Sequence, residues 1–194
     1  MLLPAVHQNE KLAPGLLVAM PQLADPNFHR AVVLMVEHSV GGAMGIVLNR
    51  AAPLTLKDVA EGQSLNLANS RGREPVFLGG PVEPQRGFVL HDSKDVGERL
   101  EVLPGLYLSV TLDALQPLLE GSNHRVRFCL GYAGWGPMQL EQEIAQGAWL
   151  FAEASPDYAL TNEPKQLWDT VLRGMGVDPS MIVAGQGTGS RGLN

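Results

Sequence analysis

The chain has 194 residues, 45% of them hydrophobic and only 18% charged, so it holds enough apolar mass for one domain with a sizeable core and is too apolar for a disordered body. Its formal net charge is −6, with 14 basic residues scattered along the chain, which argues against direct DNA binding; no membrane-spanning stretch is expected, since the most apolar run, Ala31–Val36, is far shorter than the roughly 20 residues a helix needs to cross a bilayer. Cys129 is the sole cysteine, so the chain does not depend on an intramolecular disulfide, and with no signal-like start the expected location is the cytoplasm.

Pro14-Gly15 marks a turn, and Leu16–Ala19 reads as a short buried strand. Pro21–Arg30 carries two prolines, Asp25 and Asn27, and reads as loop. The β-branched run Ala31–Glu37 predicts a buried strand, and Ala43–Leu48 its return arm in a hairpin. Gly45 inside that arm predicts a bulge or a close backbone approach. Thr55 can cap a helix over Thr55–Glu61, with Gly62 as its stop. The polar stretch Gln63–Glu74 reads as a mobile loop.

Val76–Leu78 and Gly87–His91 predict two strands around the corner Gly79-Gly80-Pro81, and Leu106–Val110 a further one. Asp113–Glu120 reads as a short helix with Leu115 and Leu119 on one face. Arg125–Leu130 begins with the alternation of a half-buried strand, and Gly131–Gly136 reads as a Gly-rich loop after it. Pro137 opens a helix over Met138–Gln146 that Gly147 ends. Ala148–Glu153 predicts a strand. Asn162 is placed as the cap of a last helix, Pro164–Arg173, which buries Leu167, Trp168, Val171 and Leu172. The tail from residue 184 to 194 is Gly-rich and flexible by composition. Strands outnumber helices and do not alternate with them regularly, so the expected class is α+β in a single domain over residues 1–183.

Four constellations could carry chemistry. The loop Gly131–Gly136 lies between a strand and a helix, where backbone N–H groups favour anions, but it has neither phosphate-binding glycine spacing nor a following lysine, and Glu141 and Glu143 would repel a phosphate. His38 beside Glu37 and His91 beside Asp92 end two strands and could meet at one rim, a composition suited to acid–base work; metal-ligand spacing is lacking, and no metal or cofactor is expected. Cys129 sits in an apolar strand, where a free cysteine behaves as a small hydrophobe unless a base lowers its pKa. Asn49-Arg50 and Arg86 place polar groups at strand ends, where solvated positions or a salt bridge to Glu37 or Glu83 are the plainer reading.

Several stretches resemble the AlgH/YqgE family of bacterial proteins. They are Ala19-Met20-Pro21 with Asp25-Pro26-Asn27-Phe28, Glu37-His38 followed by Gly42–Arg50, and Gly79-Gly80-Pro81-Val82. Arg86–His91 and Leu130–Gly136 with Gln139-Leu140-Glu141 complete the set, so the resemblance spans Leu12 to Ile182. Each motif is weak alone; order and spacing make the match specific. The resemblance implies an α+β domain with bent, branching mixed sheets and a few short helices. It implies no established reaction, and the family name carries a suggestion of transcriptional regulation of alginate production. The family's C-terminal Gly-His-Ala is Gly185-Gln186-Gly187 in this chain, which leaves that histidine without a counterpart.

On these grounds the expected role is a ligand- or protein-binding regulatory module, acting indirectly if it touches transcription. Its cleft would gather Glu37, His38, Asn49, Arg50, Arg86, His91, Tyr132 and Trp135, because polar residues at strand ends are where scaffolds present function. The rival expectation is a hydrolase or thiol-dependent enzyme that uses His38 or His91 as its base.

Overall fold

The β-branched run after Ala31 builds the centre of a sheet in the computed structural model of the protein, which describes residues 11–184 except 24, 121 and 122. The tail from residue 185 lies outside the described residues. β1 (Gly15–Ala19), β2 (Val32–Ser39) and β3 (Gly42–Val47) form an antiparallel meander, and β10 (Trp149–Ala152) covers the outer side of β1. Successive side chains point to opposite faces of a strand. Leu16, Val18, Leu34 and Ile46 therefore enter one core, and Leu17, Val33, Met35 and Val47 another. Both faces are buried, which is why β2 is continuously apolar rather than alternating.

The second sheet is built from β4 (Ala51–Thr55), β5 (Pro75–Leu78), β6 (Val82–His91), β7 (Leu100–Leu103), β8 (Leu106–Ser109) and β9 (Val126–Trp135). β9 belongs to both sheets. Its first half lies between β5, which runs parallel to it, and antiparallel β6; its second half pairs with β3. The sheets branch at Gly131, whose φ of +71° puts a bend in the strand. The expected loop Gly131–Gly136 is thus corrected: the segment through Trp135 is strand, because glycine takes the left-handed conformation without cost and pairing to β3 resumes beyond it. The bent, branching and mixed α+β architecture is as expected.

Among the described residues six α-helices pack on these sheets. α1 (Leu56–Gln63) starts at Thr55, whose backbone N–H and hydroxyl both donate to Asp58, holding that carboxyl below its ordinary range. It continues through Gly62 and stops at Ser64 in the left-handed conformation, so Gly62 is not its end. α2 (Leu112–Leu119) buries Leu115 and Leu119 against β6 and β9. α3 (Gln139–Ala145) follows β9, and α4 (Pro156–Ala159) is capped by Ser155. α5 (Leu167–Gly174) buries Leu167, Trp168, Val171 and Leu172, as its spacing predicts, but a 3₁₀ turn at Pro164–Gln166 precedes it in place of an Asn162 cap. α6 (Pro179–Ala184) follows, so α5 is not the last helix. No helix among the described residues is long and apolar enough to cross a membrane.

β4, β7, α4 and α6 escape sequence reading: each is six residues or shorter, and β4, with Pro53 inside it, and β7 are mostly exposed and lack the continuous apolar run that marks the equally short β1 and β8. Segments so short carry too few turns of any period to separate helix from strand. Gln63–Glu74, read as a mobile loop, is anchored instead. Buried Arg71 donates to Glu74 and to the carbonyls of Leu118 and His124.

Candidate functional site

The hairpin of β2 and β3 contains one irregularity that decides where its polar residues point. Val36 is an extra residue in β2: Met35 faces Gly45, while Glu37 faces Met44. A bulge of this kind reverses the in–out alternation beyond it. The glycine opposite is required by close packing, since a Cβ at Gly45 would lie 2.6 Å from a Val33 methyl. Past the bulge, Glu37 joins the face of Met44, Gly134 and Tyr132, and His38 joins the face of Ala43 and Trp135.

On the Glu37 face is an open cleft of about 480 Å³, bordered by the hairpin tip, the end of β9 and Val82. Glu37 is exposed, and Tyr132 is half-buried with its ring edge-on to Phe88. Met44 and Val82 supply apolar surface, and Gly41, Gly42 and Gly134 leave main chain open beside it. Among the described residues Glu37 carries the one formal charge on this lining.

Of the eight side chains expected to share a cleft, Glu37, Tyr132 and Trp135 border it together. Trp135 is only 5% exposed; its ring packs on Phe28 and Trp149, and its indole N–H donates to Glu143 at 3.0 Å. It is a wall rather than a contact. Arg86 is one layer removed, paired with Glu83 at 3.0 Å and lying over the ring of Phe88.

The other four are elsewhere. His38 turns to the opposite face, where its Nε2 lies 2.9 Å from Glu141 and its Nδ1 accepts from the Leu12 N–H. Burial alone would raise the Glu141 carboxyl, but its own backbone N–H and His38 outweigh burial and hold it below the ordinary range. Asn49 lies at the other end of the hairpin, bridging the Val32 N–H and the Arg30 carbonyl, and Arg50 beside it donates to the Pro26 carbonyl. These contacts tie the 20–31 loop to the sheet.

His91 does not meet His38. It pairs with Val126 at the start of β9, whereas Ala43, the partner of His38, pairs with Trp135 at its end. Antiparallel pairing through β3 and β9 reverses the chain between the two strands, so both carry histidine at their C-terminal ends and yet face opposite rims. His91 is fully buried, with Nε2 3.0 Å from Ser109 Oγ, which itself donates to the Glu98 carbonyl. Among the described residues no cluster of three His, Cys, Asp or Glu side chains is placed to hold a metal.

Burial pushes the pKa of His91 down to about 4, well below the 6.5 of a free imidazole. Below pH 6.5 the unfolded chain takes up a proton that the folded chain refuses until about pH 4, so stability present at neutral pH is lost as pH falls through that window. At pH 5 the loss from this residue is on the order of 2 kcal/mol. Urea midpoints at pH 7.5 and 5 should converge in His91→Leu relative to wild type. An undiminished acid shift in the variant would remove His91 as the cause.

Cys129 is fully buried between Phe77 and Phe88 in the pairing register. Burial pushes its thiol up to about 12, an effect that nearby Arg127 only partly offsets. A thiol in that state is a packing group, not a nucleophile.

Sequence reasoning missed Glu143 and Arg127. Glu143 accepts from both Trp135 and Trp149, a role that two indoles flanking an acidic helix could have signalled. Arg127 reads as the polar face of a half-buried strand but is 3% exposed, because β9 is covered on both faces.

The comparisons with known proteins agree with this architecture. The model of the AlgH-like family matches residues 16–180. A UPF0301 protein of Myxococcus xanthus is 66% identical over 178 residues, covering 92% of this chain and 98% of its own. The solution structure of the AlgH protein from Pseudomonas aeruginosa is similar with a TM-score of 0.74 and 34% identity, over 97% of this chain and 99% of that one. The crystal structure of a Corynebacterium diphtheriae protein is similar with a TM-score of 0.68 and 26% identity, over 88% and 90% of the two chains.

Proposed function

The chain belongs to the AlgH-like family, and from that premise we propose that it is a non-catalytic binding module whose Glu37–Tyr132 cleft takes a cationic, partly apolar ligand. The observation that carries the reading is the lining of the cleft. It offers one exposed carboxylate, an aromatic ring and apolar side chains, with no cation among the described residues of its walls to neutralise Glu37. An ammonium or guanidinium on an alkyl stem satisfies all three, pairing with the carboxylate while lying against the Tyr132 ring. A basic peptide segment and a polyamine share this chemistry.

The engagement of the histidines supports binding over catalysis. His38 is held by Glu141, and His91 is buried against a serine whose hydroxyl proton goes to a carbonyl. The thiol-dependent alternative would require Cys129 to shed both its burial and its raised pKa. Any regulatory role would run through the bound ligand or a protein partner, because a chain of net charge −6 with scattered basic residues gains little from phosphate contacts. We place the module in the bacterial cytoplasm.

Isothermal titration with spermidine and with a lysine-containing hexapeptide tests the proposal. At low salt at least one is expected to bind saturably, with Glu37→Gln and Tyr132→Ala each weakening it by about fivefold or more while thermal stability is kept. Unchanged affinity in both variants, or no binding by either probe, would overturn it.

A further inference from the structure

We propose that a second cavity, over Arg127, is a binding site for the oxyanion group of a small metabolite, a phosphate or a carboxylate. It shares no lining residue with the Glu37 cleft and stands independently of that reading. The cavity measures about 330 Å³ and opens between β5, the start of β9 and the segment after α4. Its floor is made by Arg127 and Arg71, 3% and 7% exposed, and its mouth by Arg125 and His124, whose side chains are 41% and 37% exposed.

Among the described residues three guanidinium groups and one carboxylate, Glu74, line this space. Arg71 is paired with Glu74 at 2.8 Å. Arg125 is paired with Asp92 at 3.0 Å and Asp157 at 2.8 Å, and His124 Nδ1 shares Asp92 at 3.0 Å. Arg127 differs from both arginines. Its three hydrogen bonds run to the main-chain carbonyls of Ala159, Leu48 and Thr161, and its guanidinium lies 4.1 Å from the centre of the Phe77 ring. Carbonyl dipoles and a π face solvate a cation without neutralising it.

An unneutralised buried charge is costly, and proteins normally pair it. The three main-chain bonds satisfy carbonyls but bring no negative charge, and among the described residues no carboxylate pairs with Arg127, so its charge is open to a counter-ion from outside the fold. A guanidinium has five N–H donors and three are committed, which leaves hydrogens for an incoming oxyanion. Planar forked donors suit phosphate and carboxylate. The space exceeds a bare inorganic ion, so the anionic group belongs to a larger molecule whose remainder occupies the cavity towards Thr161 and Phe77.

Calorimetric titration with inorganic phosphate, glycerol 3-phosphate and succinate, at ionic strength held constant with chloride, tests this. At least one anion is expected to bind wild type saturably and raise its melting temperature. Arg127→Met is expected to weaken that binding by about tenfold or more, the cost of losing charge-assisted bonds. Arg127→Lys keeps the charge but loses the fork, is expected to weaken it less, and serves if the methionine variant does not fold. A preference among the three anions assigns the group to phosphoryl or carboxylate chemistry. Absence of binding by all three, or unchanged affinity in the folded Arg127 variants, would overturn the proposal.

Discussion

Replacing Gly131 by alanine is expected to destabilise the protein by about 4 kcal/mol or more, the range reserved for strained backbone and core clashes. Two independent penalties meet there. The residue sits at φ +71°, which a β-carbon disfavours, and that β-carbon would stand 2.4 Å from the Gly80 carbonyl oxygen and 2.9 Å from that of Val82. No rotamer change relieves a clash with main chain. The same interlock explains the corner residues opposite: a Cβ on Gly79 would lie 2.3 Å from the Gly131 oxygen, and one on Gly80 2.1 Å from the Tyr132 carbonyl carbon. The sheets can branch only because bare backbones touch at this point. Gly62, inside α1, has nothing within 4 Å of a Cβ, so Gly62→Ala should be stabilising by roughly 0.5–1 kcal/mol. Urea unfolding of the two variants side by side checks the contrast. A Gly131→Ala protein as stable as wild type would show that the branch does not depend on this contact.

Glu143→Ala is expected to cost about 3 kcal/mol, because one carboxylate satisfies two buried indole N–H groups. Its Oε2 accepts from Trp135 at 3.0 Å and from Trp149 at 2.7 Å, while Oε1 accepts from Gln139. Removing it leaves both tryptophans with unpaired donors inside the aromatic cluster with Phe28. Glu143→Gln keeps an acceptor and should lose markedly less. Thermal melts with near-ultraviolet circular dichroism, which reports the packing of the indoles, distinguish the cases. Equal stability of the alanine and glutamine variants would mean that the acceptor is not what holds this cluster.

The resemblance and the hydrophobic patterning made the fold class and most long elements legible, for a physical reason. Leu16–Ala19 and Val32–Met35 are continuous apolar runs, and Leu167, Trp168, Val171 and Leu172 recur at helical spacing; both patterns are local properties. The site was only partly legible, because convergence depends on pairing and on parity. One extra residue, Val36, sends Glu37 into the cleft and its neighbour His38 to the other face. Strand direction sends His91 to the rim opposite His38. Neither choice is written in the residues themselves. Arg127 shows the same gap from the other side, since alternation in β9 signals a wet face that the segment around Ala159 and Thr161, distant in the chain, then covers.

The account rests on the cleft between Glu37 and Tyr132 being a place where a ligand sits. Amide-resolved NMR titration of the ¹⁵N-labelled protein with spermidine is the most direct measurement of that. Shifts confined to Glu37, Gly41, Gly42, Gly134 and Tyr132, saturating together and abolished by Glu37→Gln, are the expected result. Shifts spread evenly over exposed carboxylates such as Glu61, Glu101 and Asp157, and unaltered in the variant, would contradict it.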